Sequence, residues 1–327
     1  MVITRCEEID LLTLNKYRIV DQQGNSMWIG KEALLRAIAS NQIYVVNMNI
    51  SPDRRLVRTE GTFEMGMFKL QVKDMLNRAK MMSCDIKEER KYGVVEYYRI
   101  IDVNDNVILI LMPNLKSIPR QACKCTGRLS IIGGFSIVQC YDTFADNTAS
   151  SIDLSGFCSR NVTTFESAFE GCFAKEIILG NLYTNKVISM DSMFKGCSVM
   201  NLDLSHLDTS NVKNMSRMFE NFKGNVLDLS SFNTSKVTSM DSMFHNCNVP
   251  VIDISNFDTT LTASQRDMFN GCKASYINIA GMSQQCLKYD ERTKMMIKAN
   301  KNLKGAFHNC NAQINMTDKN VVRIGRM

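Results

Sequence analysis

The chain has 327 residues, room for about two domains, with 45% apolar residues, 22% charged residues and a formal net charge of +6. That balance excludes bulk disorder, and the longest unbroken apolar run, Val107–Met112, is far short of the roughly 18 residues of a membrane span. Its 22 Met and 12 Cys stand against 3 His, 4 Pro and 1 Trp, which leaves little material for a metal enzyme or a His-based triad.

The charged segment Met1–Asp10 has no apolar signal core, so the expectation is a cytoplasmic chain with reduced thiols. Residues 1–60 read as a small α/β module. Tyr17–Val20 and Ser26–Ile29 flank a turn containing Gly24, as the strands of a hairpin do. Lys31–Ser40 reads as helix and the β-branched Gln42–Ile50 as strand. Residues 61–120 read as an α+β module. Phe68, Val72, Met75, Ala79 and Met82 keep a helical spacing, and Val94–Ile101 and Val107–Met112 flank a second hairpin turn. With no Gly-rich phosphate loop, paired carboxylates or nucleophile motif there, an enzyme site in residues 1–120 is the weakest functional reading.

Residues 121–327 are organised differently. Phe144, Phe169, Phe194, Phe219, Phe244 and Phe269 recur every 25 residues, and the segments around them align without gaps from Ile152 to Tyr276. Gly127–Ser151 is a degenerate first copy. A last copy beginning at Ile277 reaches Phe307 after an insertion placed at about residues 281–304, and a C-terminal cap follows. Such a period is the mark of a solenoid, in which each repeat closes its core against its neighbours. Leu202-Asp203-Leu204-Ser205 alternates as a strand does, with the leucines inward. Asp208-Thr209-Ser210 is turn chemistry. Val212, Met215, Met218 and Phe219 then follow the spacing of one face of a short helix.

The best copy, Leu227 to Cys247, reads LDLSSFNTSKVTSMDSMFHNC. It resembles the repeats of BspA-type bacterial surface proteins, also seen in mycoplasma lipoproteins, over about residues 127–316. The resemblance implies a leucine-rich-repeat variant that binds proteins and carries no catalytic residue. The expected fold class is therefore α/β: small α+β modules followed by a short right-handed solenoid, with a strand and a short helix per coil.

Candidate sites follow from the columns. Cys172, Cys197, Cys247, Cys272 and Cys310 share one slot, which Phe222 also fills, so these thiols read as core; neither a metal nor another cofactor is expected. Cys123, Cys125 and Cys140 lack a zinc spacing. The Met columns read as packing. His245 and His308 share one slot, but the coil of Asn270 lies between them, too far for a catalytic pair.

The open sheet face is the sharper candidate. Its first slot carries Arg128, Asp153, Ile178, Asp203, Asp228, Asp253, Asn278 and Asn315, and its second Ser130, Ser155, Gly180, Ser205, Ser230, Ser255 and Ala280. Like charges at ladder spacing repel unless something offsets them. Two readings are open: a surface that receives a basic partner, or carboxylates that each serve their own turn. Charge is also uneven along the chain: residues 277–327 hold 9 basic and 3 acidic residues, against 11 and 15 over residues 127–276. Lys288, Arg292, Lys294, Lys298, Lys301 and Lys304 read as a basic helix able to meet nucleic acid or an acidic partner.

The expected role is a non-enzymatic, protein-binding adaptor or inhibitor of a bacterial or prophage kind. The alternative is an RNA or nucleoprotein binder acting through basic patches. No membrane association is expected.

Overall fold

The computed structural model describes the backbone of residues 2–8, 16–21, 26–30, 44–45, 48–50, 56–58, 62–180, 182–200, 202–280, 288–290, 295–297, 306–317 and 320–323. It divides into two compact units, Met1–Met82 and Ser83–Met327.

In the first unit β1 (Val2–Glu8), β2 (Lys16–Asp21), β3 (Ser26–Gly30) and β4 (Tyr44–Val45) form a sheet in the order β3-β2-β1-β4. The hairpin expected around Gly24 is the antiparallel β2–β3 pair, with Val20 opposite Ser26. The stretch read as one strand, Gln42–Ile50, instead contributes β4 and a separate β5 (Met48–Ile50), which pairs with β6 (Leu56–Arg58). The helix expected over Lys31–Ser40 lies outside the described residues. Helix α1 (Thr62–Met81) buries Phe68, Val72 and Ala79 as their spacing predicts, whereas Met82 lies past its end and is exposed.

The second unit opens with β7 (Asp85–Lys91), β8 (Val94–Ile101) and β9 (Val107–Leu111), an antiparallel meander. Tyr92 and Gly93 both have positive φ, 50° and 78°, the geometry of a tight hairpin turn matched to strand twist. In the next turn the Asp102 carboxylate accepts from the backbone N–H groups of Asn104 and Asn106. Strand β9 then runs parallel to β10 (Arg128–Gly133), followed by β11 (Ser151–Phe157) and β12 (Glu176–Ile178). The parallel ladder thus starts one coil before the sequence repeat. That coil buries Leu115, Ile118, Cys123 and Cys125 but has no Phe to announce it.

Coils continue past the Ile177–Leu202 bridge, joined through bridges such as Asn214–Ser239 and Lys223–Asn248 on other sides, to β13 (Val251–Asp253) and β14 (Tyr276–Asn278), where strand pairing resumes. The ladder resumes after the insertion with β17 (Gln313–Thr317), on which the antiparallel β18 (Asn320–Arg323) lies as a cap. The architecture is a β-solenoid of about seven turns, mostly strands and turns.

The segment expected to be a short helix in each coil is a run of tight turns. Two residues per coil, four apart, sit in the left-handed region: Ser192 and Gly196 at φ 57° and 66°, Arg217 and Asn221 both at 56°, Ser242 and Asn246 at 56° and 53°. A helix tolerates no such residue in its interior. Backbone donors alternate instead. Met193 N–H bonds within the coil to Met190 C=O (3.2 Å), Phe194 N–H reaches Met218 C=O in the next coil (3.0 Å), and Lys195 N–H returns to Ser192 C=O (3.1 Å). Every second peptide is thus a rung between coils, which satisfies buried backbone groups that a helix would bond internally.

Inward side chains stack in columns. Phe144, Phe169, Phe194, Phe219, Phe244, Phe269 and Phe307 form one continuous pile, with neighbouring ring centroids 5.0–5.9 Å apart and planes within 22°. Rings so offset add favourable contact beyond the area they bury. The Phe269–Phe307 step is 5.0 Å, so the insertion between them leaves the stack unbroken. Met190, Met215 and Met240, with Met193, Met218, Met243 and Met268, are fully buried, as is Cys197 in the turn column. A polar column accompanies them: the buried Thr184, Thr209 and Thr234 hydroxyls donate to the carbonyls of Asp208, Asn233 and Asp258 in the following coils.

Candidate binding surface

Asp153, Asp203, Asp228 and Asp253 lie on the outward face of the strand region, and each accepts the backbone N–H two residues on, from Ser155, Ser205, Ser230 and Ser255, at 2.9 Å. Asn278 does the same for Ala280 at 3.2 Å. Each carboxylate therefore caps an Asx turn, Asp153 and Asp253 in β11 and β13 and Asp203 and Asp228 at the equivalent positions of coils without a named strand. The Ser205 hydroxyl, donating at 2.6 Å, together with the Ser205 N–H, holds the Asp203 carboxyl below the usual carboxylate range. Hydrogen bonds from Ser230 lower Asp228 likewise, against the repulsion of the Asp203 charge. At Asp253 burial pushes upward, but the Ser255 and Asn278 hydrogen bonds outweigh it and the net shift is down. All three are anions at neutral pH.

Toward the C-terminal end the ladder of acids becomes a ladder of amides. Asn278 Nδ2 donates to Asp253 Oδ2 and Asn315 Nδ2 to Asn278 Oδ1, both at 3.1 Å. An amide both donates and accepts, so it continues a ladder without like-charge cost.

Toward the N-terminal end the register differs from the repeat alignment. Leu129 pairs with Ile152, so Ser130, rather than Arg128, stands opposite Asp153, and Arg128 stands opposite Ser151. The degenerate coil is two residues short between its strands, and a bulge between Ser130 and Ile132 absorbs part of the mismatch. Arg128 Nε donates to Ser151 Oγ at 3.2 Å, outside the acidic row.

One coil breaks the row. Asp153 pairs with Ile178, and the next bridge places Asp203 on its other side. Ile178 is 36% exposed where its neighbours in the column are carboxylates. Two residues on, Gly180 has φ +59°, and a Cβ there would lie 2.8 Å from the Ser155 backbone, so only glycine fits. Beside Gly180 lies a half-open depression of about 420 Å³, lined by Ile178 and Gly180 and by the polar Lys175, Glu176, Asp203 and His206. Its volume falls in the range of small ligand sites.

The six basic residues of the insertion are not on a described helix. Lys288 lies in β15 (Lys288–Asp290), which pairs antiparallel with β16 (Met295–Ile297), Lys288 opposite Ile297. A hairpin replaces the expected helix there, because Tyr289, Met295, Met296 and Ile297 are as well suited to a strand. Arg292, Lys294, Lys298, Lys301 and Lys304 lie outside the described residues.

Among the described residues no group of three His, Cys, Asp or Glu side chains is arranged to hold a metal ion. Burial pushes the Cys125 thiol up to about 11 and Cys140 and Cys247 to about 12, so these remain neutral, poor nucleophiles. Among the described helices none is long and apolar enough to cross a membrane.

Coils with one inward pattern, a continuous ring stack and an outward polar ladder define a repeat β-solenoid protein. The chain belongs to the family described as "Mycoplasma protein of unknown function, DUF285", whose model matches residues 138–248, 163–283 and 221–320. No curated protein and no solved structure matches the chain.

Proposed function

We propose that the solenoid is a non-enzymatic protein-binding module, acting as an adaptor or inhibitor within a bacterial cell, and that its partner docks on the open face through Asp153, Asp203, Asp228, Asp253 and Asn278. The observation that carries this reading is the row of fixed anions on a rigid scaffold. Each carboxylate is oriented by its own turn, so little side-chain freedom is lost when a basic partner arrives. The resemblance of the repeats to the BspA-type leucine-rich variant supports the same reading.

The experiment is co-purification of a partner with the full chain carrying Asp203→Asn, Asp228→Asn and Asp253→Asn together. Asparagine keeps the turn acceptor, as Asn278 does, and removes the charge. Loss of the partner with an unchanged unfolding midpoint is expected; retention of the partner overturns the sheet-face reading.

A second reading rests on the basic excess of residues 277–327, 9 against 3. It assigns RNA or nucleoprotein binding to the insertion, and a steep fall of RNA affinity with salt is its signature. A flat salt response removes it.

A further inference from the structure

We propose that the depression at Ile178–Gly180 is an apolar seat within the acidic row. Its occupant is an aliphatic side chain from an extended, lysine- or arginine-rich segment of a partner protein. The inference rests on the sheet-face reading above and assigns that face a specific recognition pattern: cation, aliphatic, cation, cation, against Asp153, Ile178, Asp203 and Asp228.

Three observations converge. The first is the position of the break. Ile178 interrupts the carboxylate column with anions on both sides, Asp153 as its paired neighbour and Asp203 next along the bridge. A plain basic peptide would find a gap at this point, whereas a peptide with one apolar side chain between cations would fill it.

The second is that the inward columns do not call for the break. The inward residues of the same coil, Ile177, Leu179, Leu182, Val187, Met190 and Phe194, are buried like those of its neighbours. The change to Ile and Gly lies on the outward side of the coil, where Ile178 stays 36% exposed.

The third is shape. Gly180 in its left-handed conformation lies close against the Ser155 backbone, where a Cβ would come within 2.8 Å. The result is a recess of about 420 Å³ instead of a flat sheet. Of the lining residues Lys175 and Glu176 carry opposite charges, and Asp203 adds an anion.

In an extended segment alternate side chains share one face at about 6.6 Å per pair of residues. Rungs of the solenoid lie about 4.8 Å apart. The flexible stems of lysine or arginine span this mismatch, and the central aliphatic side chain fixes the register.

The probe is the peptide acetyl-KGLGKGK-amide, titrated against the full chain at low salt, with binding followed by NMR shifts or by the fluorescence of an end label. Saturable binding is expected, weakened at least five-fold when the peptide leucine is replaced by serine and when the protein carries Ile178→Asn. The decisive variant is Ile178→Asp, which restores the column and adds negative charge. The apolar seat requires it to weaken binding of this basic peptide, whereas a purely electrostatic face requires it to tighten binding.

Unchanged or tighter binding by Ile178→Asp overturns the seat, and so does the lack of any saturable signal from the unaltered chain at millimolar peptide. Unfolding midpoints of both variants are measured alongside, and Ile178→Asn serves if the Asp variant fails to fold. The Asp203→Asn, Asp228→Asn, Asp253→Asn chain separates the two levels. If it loses the peptide while Ile178→Asn keeps it, the acidic face stands and the seat falls. If it keeps the peptide, the acidic face itself falls.

Discussion

The coil of residues 177–201 and the three coils that follow it, residues 202–276, have the same interior and different exteriors. Inward, all four bury a stacked Phe and three bury a Val and two Met, with Thr262 and Gln265 in the Val slot and one Met slot of the last. Outward, the later coils carry Asp and Ser at the end of the strand, and the earlier one carries Ile178 and Gly180. The difference shows that in a solenoid the two faces vary independently. Core columns are packed against the coils above and below, while outward residues are tied to them by few contacts and meet solvent.

Inward departures make the same point from the other side. Phe222 replaces Cys in the turn column, and two residues on, Gly224 replaces the Val or Ala of other coils. A Cβ at Gly224 would lie 2.8 Å from the Phe222 ring, so the glycine is the space the ring needs. The ring meets Phe219 edge-on at 5.7 Å. Gln265 is a departure with no such compensation. It stands in the column of Met190, Met215 and Met240, fully buried, with neither amide atom hydrogen-bonded.

These contrasts can be broken in a graded series. The largest effect is expected from Phe219→Ala, which removes a ring from the middle of the stack and should cost about 3–5 kcal/mol in denaturant unfolding. Gly224→Val should cost about 1–3 kcal/mol by overpacking against Phe222. Phe222→Cys alone leaves a cavity and should also destabilise, whereas the double variant, which recreates the neighbouring coils, should lose less than the sum of the singles. Simple additivity in that cycle would show that the pair is not a packing unit. Gln265→Met should go the other way and raise stability by about 1–3 kcal/mol, since two buried amide atoms lose their unpaired state; a lowered midpoint would show that the amide has a partner after all.

The smallest effect is one of pH. The folded chain holds the Asp203 and Asp228 carboxyls below their ordinary values. Their contribution to stability is therefore full above about pH 4, the unfolded value, and fades as pH falls through the depressed folded values. In the triple Asn variant the acid limb of the stability profile should be shallower. An unaltered acid limb would mean that other carboxylates control it.

Much of this architecture is readable from residue spacing. The 25-residue period gives the coils, the alternation of Leu202 to Ser205 gives the inward face, and the Phe column gives the stack. The turns were hidden because Val212, Met215, Met218 and Phe219 satisfy a helical spacing equally well. The discriminating signal was the slot before the Cys column, filled by Asp146, Gly171, Gly196, Asn221, Asn246, Gly271 and Asn309, the residue types that accept positive φ. The solenoid's opening coil was invisible for lack of a Phe, and the register of Arg128 was misplaced because a two-residue shortening leaves no mark on composition. The acidic row was visible as residues, but its Asx-turn role and the recess at Gly180 depend on backbone geometry that no spacing encodes.

The claim at the centre of this account is that the inward columns make the scaffold and the outward strand face does the binding. The most direct measurement is amide hydrogen exchange of the full chain with and without its co-purified partner. Added protection should concentrate at residues 153–155, 178–180, 203–205, 228–230 and 253–255, with the turn segments near Met190, Met215 and Met240 unchanged. A footprint on those turns, or on residues 288–304, with the strand face unprotected would contradict it.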